Sequence, residues 1–186
     1  MSEERKFFES QIRECYGRIV YTHKIHEKMA DQFDGEQNCI KFWQILLSSI
    51  TTVGVIGTIF SDTHTIAYIT ALISLAMSAM TLYTKNINPG GLAQKHRETA
   101  SNIWDKRESY FSLLFDIHDD TIPLEALRKR RDALQSQLHE IYHSAPHTNS
   151  DAYKAAQDGL KNNEEMTFSE EEINKFMPQQ LRRIKP

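Results

Sequence analysis

Two apolar segments stand only five residues apart in this chain, and that arrangement restricts its fold more than any other feature. Residues 42–60 read FWQILLSSITTVGVIGTIF, residues 66–83 read IAYITALISLAMSAMTLY, and SDTHT joins them. From Phe42 to Thr84 there is no Lys or Arg and one acid, Asp62. Crossing the ~30 Å hydrocarbon core of a bilayer takes about 20 helical residues, with roughly 17 to 25 tolerated. Both segments fit. A five-residue connection leaves room only for a tight turn, so the two helices must be antiparallel neighbours. Trp43 and Tyr83 fall at segment ends, where amphipathic rings prefer the headgroup zone. The competing reading is a soluble all-α protein with a buried hairpin. Two runs of this length without a basic residue argue against it.

Composition then separates into two regimes. The chain has 186 residues, a length that suits one compact unit, and a mean hydropathy of −0.53 that by itself would suggest a soluble protein. The average misleads, because all 22 basic residues lie outside the apolar region. Net charge is −3 and the pI about 6.2, which is no basic footprint and argues against nucleic acid as a partner. Lys41 precedes the first segment, Lys85, Lys95 and Arg97 follow the second, and the turn holds no cation. The excess of cations on one side predicts both termini in the cytoplasm and SDTHT outside. The start, MSEERKFF, has no apolar signal core, so the internal helices are expected to direct insertion. Cys15 and Cys39 are too few for a disulfide framework and are expected to be reduced and structural.

Neither apolar segment is uniform. Thr70, Ser74, Ser78 and Thr81 recur at steps of three and four, which puts them on one helix face, and Gln44, Ser48, Thr51 and Thr58 do nearly the same in the first segment. Two readings fit this stripe. Small and hydroxylated residues let membrane helices approach and hydrogen-bond across the contact, and Gly54, Gly57, Ala67 and Ala71 would serve the same end. Alternatively several hairpins assemble and turn their hydroxyls toward a wet lumen, which two helices alone cannot enclose.

Outside the hairpin the pattern is helical throughout. Phe8, Ile12, Cys15, Ile19, Thr22, His26, Met29 and Phe33 form a heptad-like stripe. FDGEQN, residues 33–38, reads as a break before the membrane, and NINPGG, residues 86–91, as a strong breaker after it. A second long helix with Leu92, His96, Thr99, Ile103, Tyr110, Leu114 and Ile117 should end near His118. Pro123 should lie in the first turn of a third, which carries Leu124, Leu127, Leu134, Leu138, Ile141 and Ala145 and which Pro146 ends. A shorter helix from about Asp151 to Leu160, capped by Asn149 or Ser150, and a last one at Glu170–Met177, opened by a Ser169/Glu172 capping box, complete the chain before a basic tail. The expected fold is all-α: an N-terminal cytoplasmic helix over 1–38, a transmembrane hairpin over 39–85, and C-terminal cytoplasmic helices over 86–186 that bundle with the first.

Chemistry is sparse. No phosphate-binding loop, nucleophile elbow or CxxC occurs, so no catalytic residue and no cofactor is expected. His139, His143 and His147 share a step of four, but Pro146 bends the chain before His147, and a metal site is not expected. His118-Asp119-Asp120 reads as a polar helix end. Arg128, Lys129, Arg130 and Arg131 put four cations on one turn. They suit acids on a neighbouring helix, anionic lipid headgroups or a bound nucleotide.

The stretch IYHSAPHTNSDAYKAAQDGL, residues 141–160, resembles the C-terminal signature of the SLATT family, the SMODS and SLOG-associating two-transmembrane effector domains. The matching positions are Tyr142, Ala145, Pro146, Thr148, Ala152 and Tyr153, which look structural. The N-terminal helix, the short-turned hairpin and a long following helix with His96, Ala100 and Trp104 match too, as does MTFSEEEINKFMP. The resemblance implies an effector of bacterial conflict systems that breaches the inner membrane when activated. It also implies a likeness to members that work beside separate proteins that make or sense nucleotides. Membrane lipids and further copies of the chain are the other expected partners. The alternative is a non-conducting scaffold whose hairpin only anchors a protein-binding bundle.

Overall fold

The computed structural model describes residues 2–60, 64–119 and 121–183. Those residues are helical with no strand among them: α1 (Glu3–Phe60), α2 (His64–Ile87), α3 (Pro89–His118), α4 (Leu124–Ser144), α5 (Ser150–Lys161) and α6 (Glu170–Phe176), then one 3-10 turn at Gln179–Leu181. The all-α reading stands. Residues 61–63 of the expected turn lie outside the described residues, and His64 already begins α2.

The helix α1 corrects the expected break at residues 33–38, because it runs unbroken from Glu3 to Phe60. At 1.5 Å per residue its 58 residues span about 87 Å. Gly35 costs such a helix about 1 kcal/mol, and the polar residues around it recover that cost through tertiary partners. Phe33 stacks on His96 with ring centroids 5.7 Å apart, and Asp34 pairs with Arg97. Glu36 accepts from the Tyr83 hydroxyl at 2.6 Å, and Gln37 accepts from the Gly90 amide at 3.2 Å. The segment that looked like a loop is a collar that ties α1 to α2 and α3 at the base of the hairpin.

The second expected breaker shrinks to one residue. Between α2 and α3 only Asn88 leaves helical geometry, at φ 50° and ψ 62°, a left-handed conformation that Asn tolerates. Its side chain accepts from the Gly91 amide, and Pro89 occupies the first helical position, where a missing N–H costs nothing. A Cβ at Gly91 would fall 2.3 Å from Asn88 Nδ2, so the cap requires glycine there.

The body below the collar is a bundle built on the three predicted stripes. Ile12 and Ile19 of α1, Ile103, Tyr110, Leu113 and Ile117 of α3, and Leu127 and Leu134 of α4 form one buried core. α5 packs on α1, where Tyr21 and Tyr153 stack at 6.3 Å. Cys15 packs partly against the core, and Cys39 is exposed. Pro123 caps α4 rather than entering it, since its carbonyl accepts from Ala126 and Leu127. Asn149 caps α5, and Ser169 with Glu172 forms the expected reciprocal box at α6. Arg5, hidden at the far tip, donates to the carbonyls of Ile117 at 2.7 Å, Asp119 at 2.9 Å and Ile122, and so locks the start of α1 onto the α3–α4 turn.

Candidate membrane hairpin and its two grooves

The apolar parts of α1 and α2 are long and apolar enough to cross a membrane, and among the described residues none buries them. Ile45, Val53, Tyr68 and Leu75 are about 70% exposed. A soluble protein would bury such residues; an uncovered apolar surface of this extent needs another solvent, here lipid.

The helices touch most closely at Gly54. A Cβ there would lie 2.3 Å from Thr70 Oγ1, and Thr70 is the buried residue of α2. Above and below, Gly57 faces Ile66, and Thr51 Oγ1 approaches Met77 Sδ at 3.8 Å. This seam leaves a groove on either side. One, of about 750 Å³, is lined by Ser48, Thr51, Thr52, Val55 and Ile56 from α1, and by Ser74, Met77, Ser78, Thr81 and Leu82 from α2. The other, of about 410 Å³, is lined by Ile50, Val53, Gly54, Ile66, Ile69 and Ile73, with Ser49 and Thr70 its two hydroxyls. The hairpin is therefore two-sided: six hydroxyls along one groove, a largely aliphatic wall along the other.

Five of the residues predicted to line a pore or a packing seam, Ser48, Thr51, Ser74, Ser78 and Thr81, come together in the first groove. Thr70 sits at the seam instead, and Gln44 and Thr58 line neither groove. Thr52 was missed, although it stands one helical turn after Ser48. Only one of the groove hydroxyls reaches across the helices, Thr51 to Met77 Sδ at 3.8 Å. Thr51, Thr52, Ser74, Ser78 and Thr81 each donate to the backbone carbonyl four residues earlier, at 2.8–3.0 Å. Such back-bonding satisfies the hydroxyl hydrogen inside its own helix and turns the oxygen lone pairs outward. Such a surface is compatible with lipid, since its hydroxyl hydrogens are satisfied, and it also presents acceptors to any water that reaches it.

The basic run stands far from this hairpin. Arg131 lies over the Phe8 ring at 5.8 Å and donates to Gln11 at 3.0 Å, near the start of α1. Phe8 is 34 positions from Phe42 on one continuous helix, about 50 Å along it at 1.5 Å per residue. Arg130 pairs with Asp116 of α3, and Arg131 with Asp132 beside it. Arg128 and Lys129 are exposed, and Arg128 lines a shallow cleft of about 280 Å³ with Glu4, Phe7 and Gln11.

Three histidines sit where the body meets the collar. His26 Nδ1 and His96 Nδ1 are 2.9 Å apart in a fully buried contact, so one ring donates and the other accepts. Burial, and each other's proximity, push His26 down to about 4, and burial lowers His96. His23 falls to about 4 through burial and the nearby Arg107. The cluster is neutral at pH 7. His139 and His143 lie on the exposed side of α4, their rings 6.3 Å apart. Asp119 ends α3 with its carboxylate accepting from Thr121, which holds it below the usual range; Asp120 lies outside the described residues.

Residues 8–172 match the family described as SMODS and SLOG-associating 2TM effector domain family 4. The match spans most of the chain and brings with it a two-transmembrane effector role in conflict and defence systems. No curated protein and no solved structure matches the chain.

Proposed function

The chain belongs to the SMODS and SLOG-associating two-transmembrane effectors, and on that premise we propose that it oligomerises into a pore that compromises the inner membrane. The observation that carries this reading is the sidedness of the hairpin, with six hydroxyls along one groove of an otherwise aliphatic pair. Packing uses Gly54 against Thr70 and the Thr51 hydroxyl on Met77, whereas Thr52, Ser74, Ser78 and Thr81 bond back within their own helices and are not needed for the seam. When several hairpins turn their hydroxyl grooves inward, Ser48, Thr52, Ser74, Ser78 and Thr81 face a common lumen. Both termini lie in the cytoplasm on the cation count around the segments. A separate protein that makes or senses a nucleotide supplies the trigger. The basic tip at Arg128 to Arg131 is the part of the body best placed to meet a cytoplasmic signal, since lipid of the same membrane lies about 50 Å away.

The test is membrane potential in bacteria expressing the chain together with its neighbouring genes, read with a voltage-sensitive dye. The native chain should depolarise the cells. Ser74→Leu with Ser78→Leu should leave membrane insertion and assembly intact and abolish depolarisation; unchanged depolarisation would reject these residues as the wall. Full activity after replacing residues 42–83 by an unrelated hairpin would favour the scaffold reading instead.

A further inference from the structure

The soluble face opposite α4 carries an uncovered aromatic cleft. It runs between α1 and α3, holds about 390 Å³, and is lined by Glu9, Arg13, Tyr16, Phe111, Phe115 and His118. Tyr16 leans on Phe111 at 5.8 Å and Phe111 meets Phe115 edge-on at 5.1 Å, yet Phe115 is 66% exposed. A ladder of three rings on a water-facing surface is a contact waiting for a partner.

The same chain ends in an arm with the complementary pattern. In α6 and its flanks, Phe168 is 66% and Phe176 76% exposed, and Ile173, Met177 and Leu181 are exposed as well. Ile173 and Phe176 fall at i and i+3 on one side of α6, and Met177 follows as its extended C-cap. The capping box of Ser169 and Glu172 fixes the start of that helix. Arg13 and His118 stand at the cleft rim, both within ion-pair distance of Glu9, so the fit between arm and cleft is apolar rather than ionic.

The root of the arm is held firmly at the upper end of the same cleft. Glu165 pairs with Lys24 and Lys28 of α1, and its amide donates to the Gly159 carbonyl at 2.9 Å. Arg107, one turn of α3 before Phe111, approaches Met166 Sδ at 3.9 Å. Glu164 and Met166 both take positive φ, 51° and 71°, a strained turn for such residues that throws the following chain outward. Within one chain, then, the arm starts a turn away from the rings and leaves them uncovered.

We infer that the arm, residues 168–177, docks into the α1–α3 cleft of a second copy of this chain, setting Phe176 and Ile173 on Tyr16, Phe111 and Phe115. Exchange of arms closes a dimer when reciprocal and a ring when sequential. The inference rests on the assembly that the pore reading requires, and it names the contact through which the bodies associate.

Two differently tagged full-length chains, both with Cys15→Ala and Cys39→Ser, are expressed in one membrane and oxidised. One carries Phe176→Cys and the other Phe115→Cys, all at exposed positions except the half-buried Cys15. A disulfide joining the two tags is expected, well above a control in which Ser136→Cys on α4 replaces Phe115→Cys. No excess over that control overturns the inference, as does a purely intrachain bond in a chain that carries both cysteines. Phe168→Ser with Phe176→Ser should separately abolish the oligomer seen by light scattering in detergent; its persistence overturns the docking. Cross-linked chains in cells that keep their potential would leave the docking standing and reject the pore. Depolarisation with no interchain disulfide would do the reverse.

Discussion

Gly54→Ala tests the seam of the hairpin directly. The added methyl would stand 2.3 Å from Thr70 Oγ1 and 3.4 Å from Thr70 Cβ and Cγ2. The oxygen contact is more than an ångström too short, so either the helices part or Thr70 turns its hydroxyl off the Ile66 carbonyl, which it now meets at 2.8 Å. Overpacking of this kind costs about 1–3 kcal/mol, and the lost hydrogen bond about 1. Thr70→Ala removes the offending oxygen and leaves an ordinary 3.4 Å contact. Gly54→Ala alone should therefore destabilise by about 2 kcal/mol, and the double variant should match Thr70→Ala alone. That is a coupling of about 2 kcal/mol, well above the ~0.5 expected of independent sites. The assay is reversible SDS titration in mixed micelles, followed by Trp43 fluorescence in a Trp104→Phe background. Additive effects would refute the geometry, because they would mean that Gly54 and Thr70 do not meet.

Three further expectations follow from the body. The folded-state pKa values of His23 and His26, about 4 against an ordinary 6.5, and the lowered value of His96 mean that the unfolded chain takes up protons first as pH falls. Stability is then fully present above pH 6.5 and lost on acidification toward 4, at most about 3 kcal/mol for each of His23 and His26 and less once solvent screening is counted. Melting followed by circular dichroism from pH 7.5 to 5 should show the decline, and His23→Gln, His26→Gln and His96→Gln together should flatten it; an equally steep decline would place the loss elsewhere. Arg5→Leu strips three carbonyls at the tip of their donor and should cost about 2–4 kcal/mol, with Arg5→Lys recovering only part because an ammonium cannot span the fork. Gly35→Ala meets open space inside an unbroken helix and should stabilise by about 0.5–1 kcal/mol; destabilisation in the same melting assay would mean that residues 33–38 are not helical.

What could be read from the sequence divides along the range of the forces involved. The hairpin followed from length and the absence of cations, and the caps at Asn149 and Ser169 from residues within three positions of each helix start. The core stripes were legible because Ile12, Ile19, Ile103 and Tyr110 repeat at helical spacing, which is itself a local signal. Residues 33–38 were misread because their helicity is maintained from afar: Asp34 by Arg97, Glu36 by Tyr83, Gln37 by Gly90. No window of sequence contains both members of those pairs. Arg5 offered no local sign that it would be buried, since its partners are carbonyls more than a hundred positions away. In the hairpin, spacing found the hydroxyl face but not which members would share a groove. That depends on how α2 seats against Gly54, and the close approach shifts Thr70 to the seam and brings Thr52 into the groove.

The collar also makes the two membrane helices unequal. The first is continuous with α1 of the body over 58 residues, so it cannot turn without carrying the bundle core with it. The second meets the body through Asn88, a single non-helical residue held by a side-chain cap to Gly91. A rearrangement of the bundle therefore reaches the membrane along two different routes: rigidly through α1, and through a one-residue joint at α2. Near that joint the Tyr83 hydroxyl on Glu36 ties α2 to α1, and farther along the Gly54–Thr70 seam does the same. The hydroxyl groove is shared between a fixed wall, Ser48 and Thr52, and a wall on the jointed helix, Ser74, Ser78 and Thr81. Its width is thus set both at the Gly54–Thr70 seam and where α2 joins the body, with Glu36 on Tyr83 holding the second point.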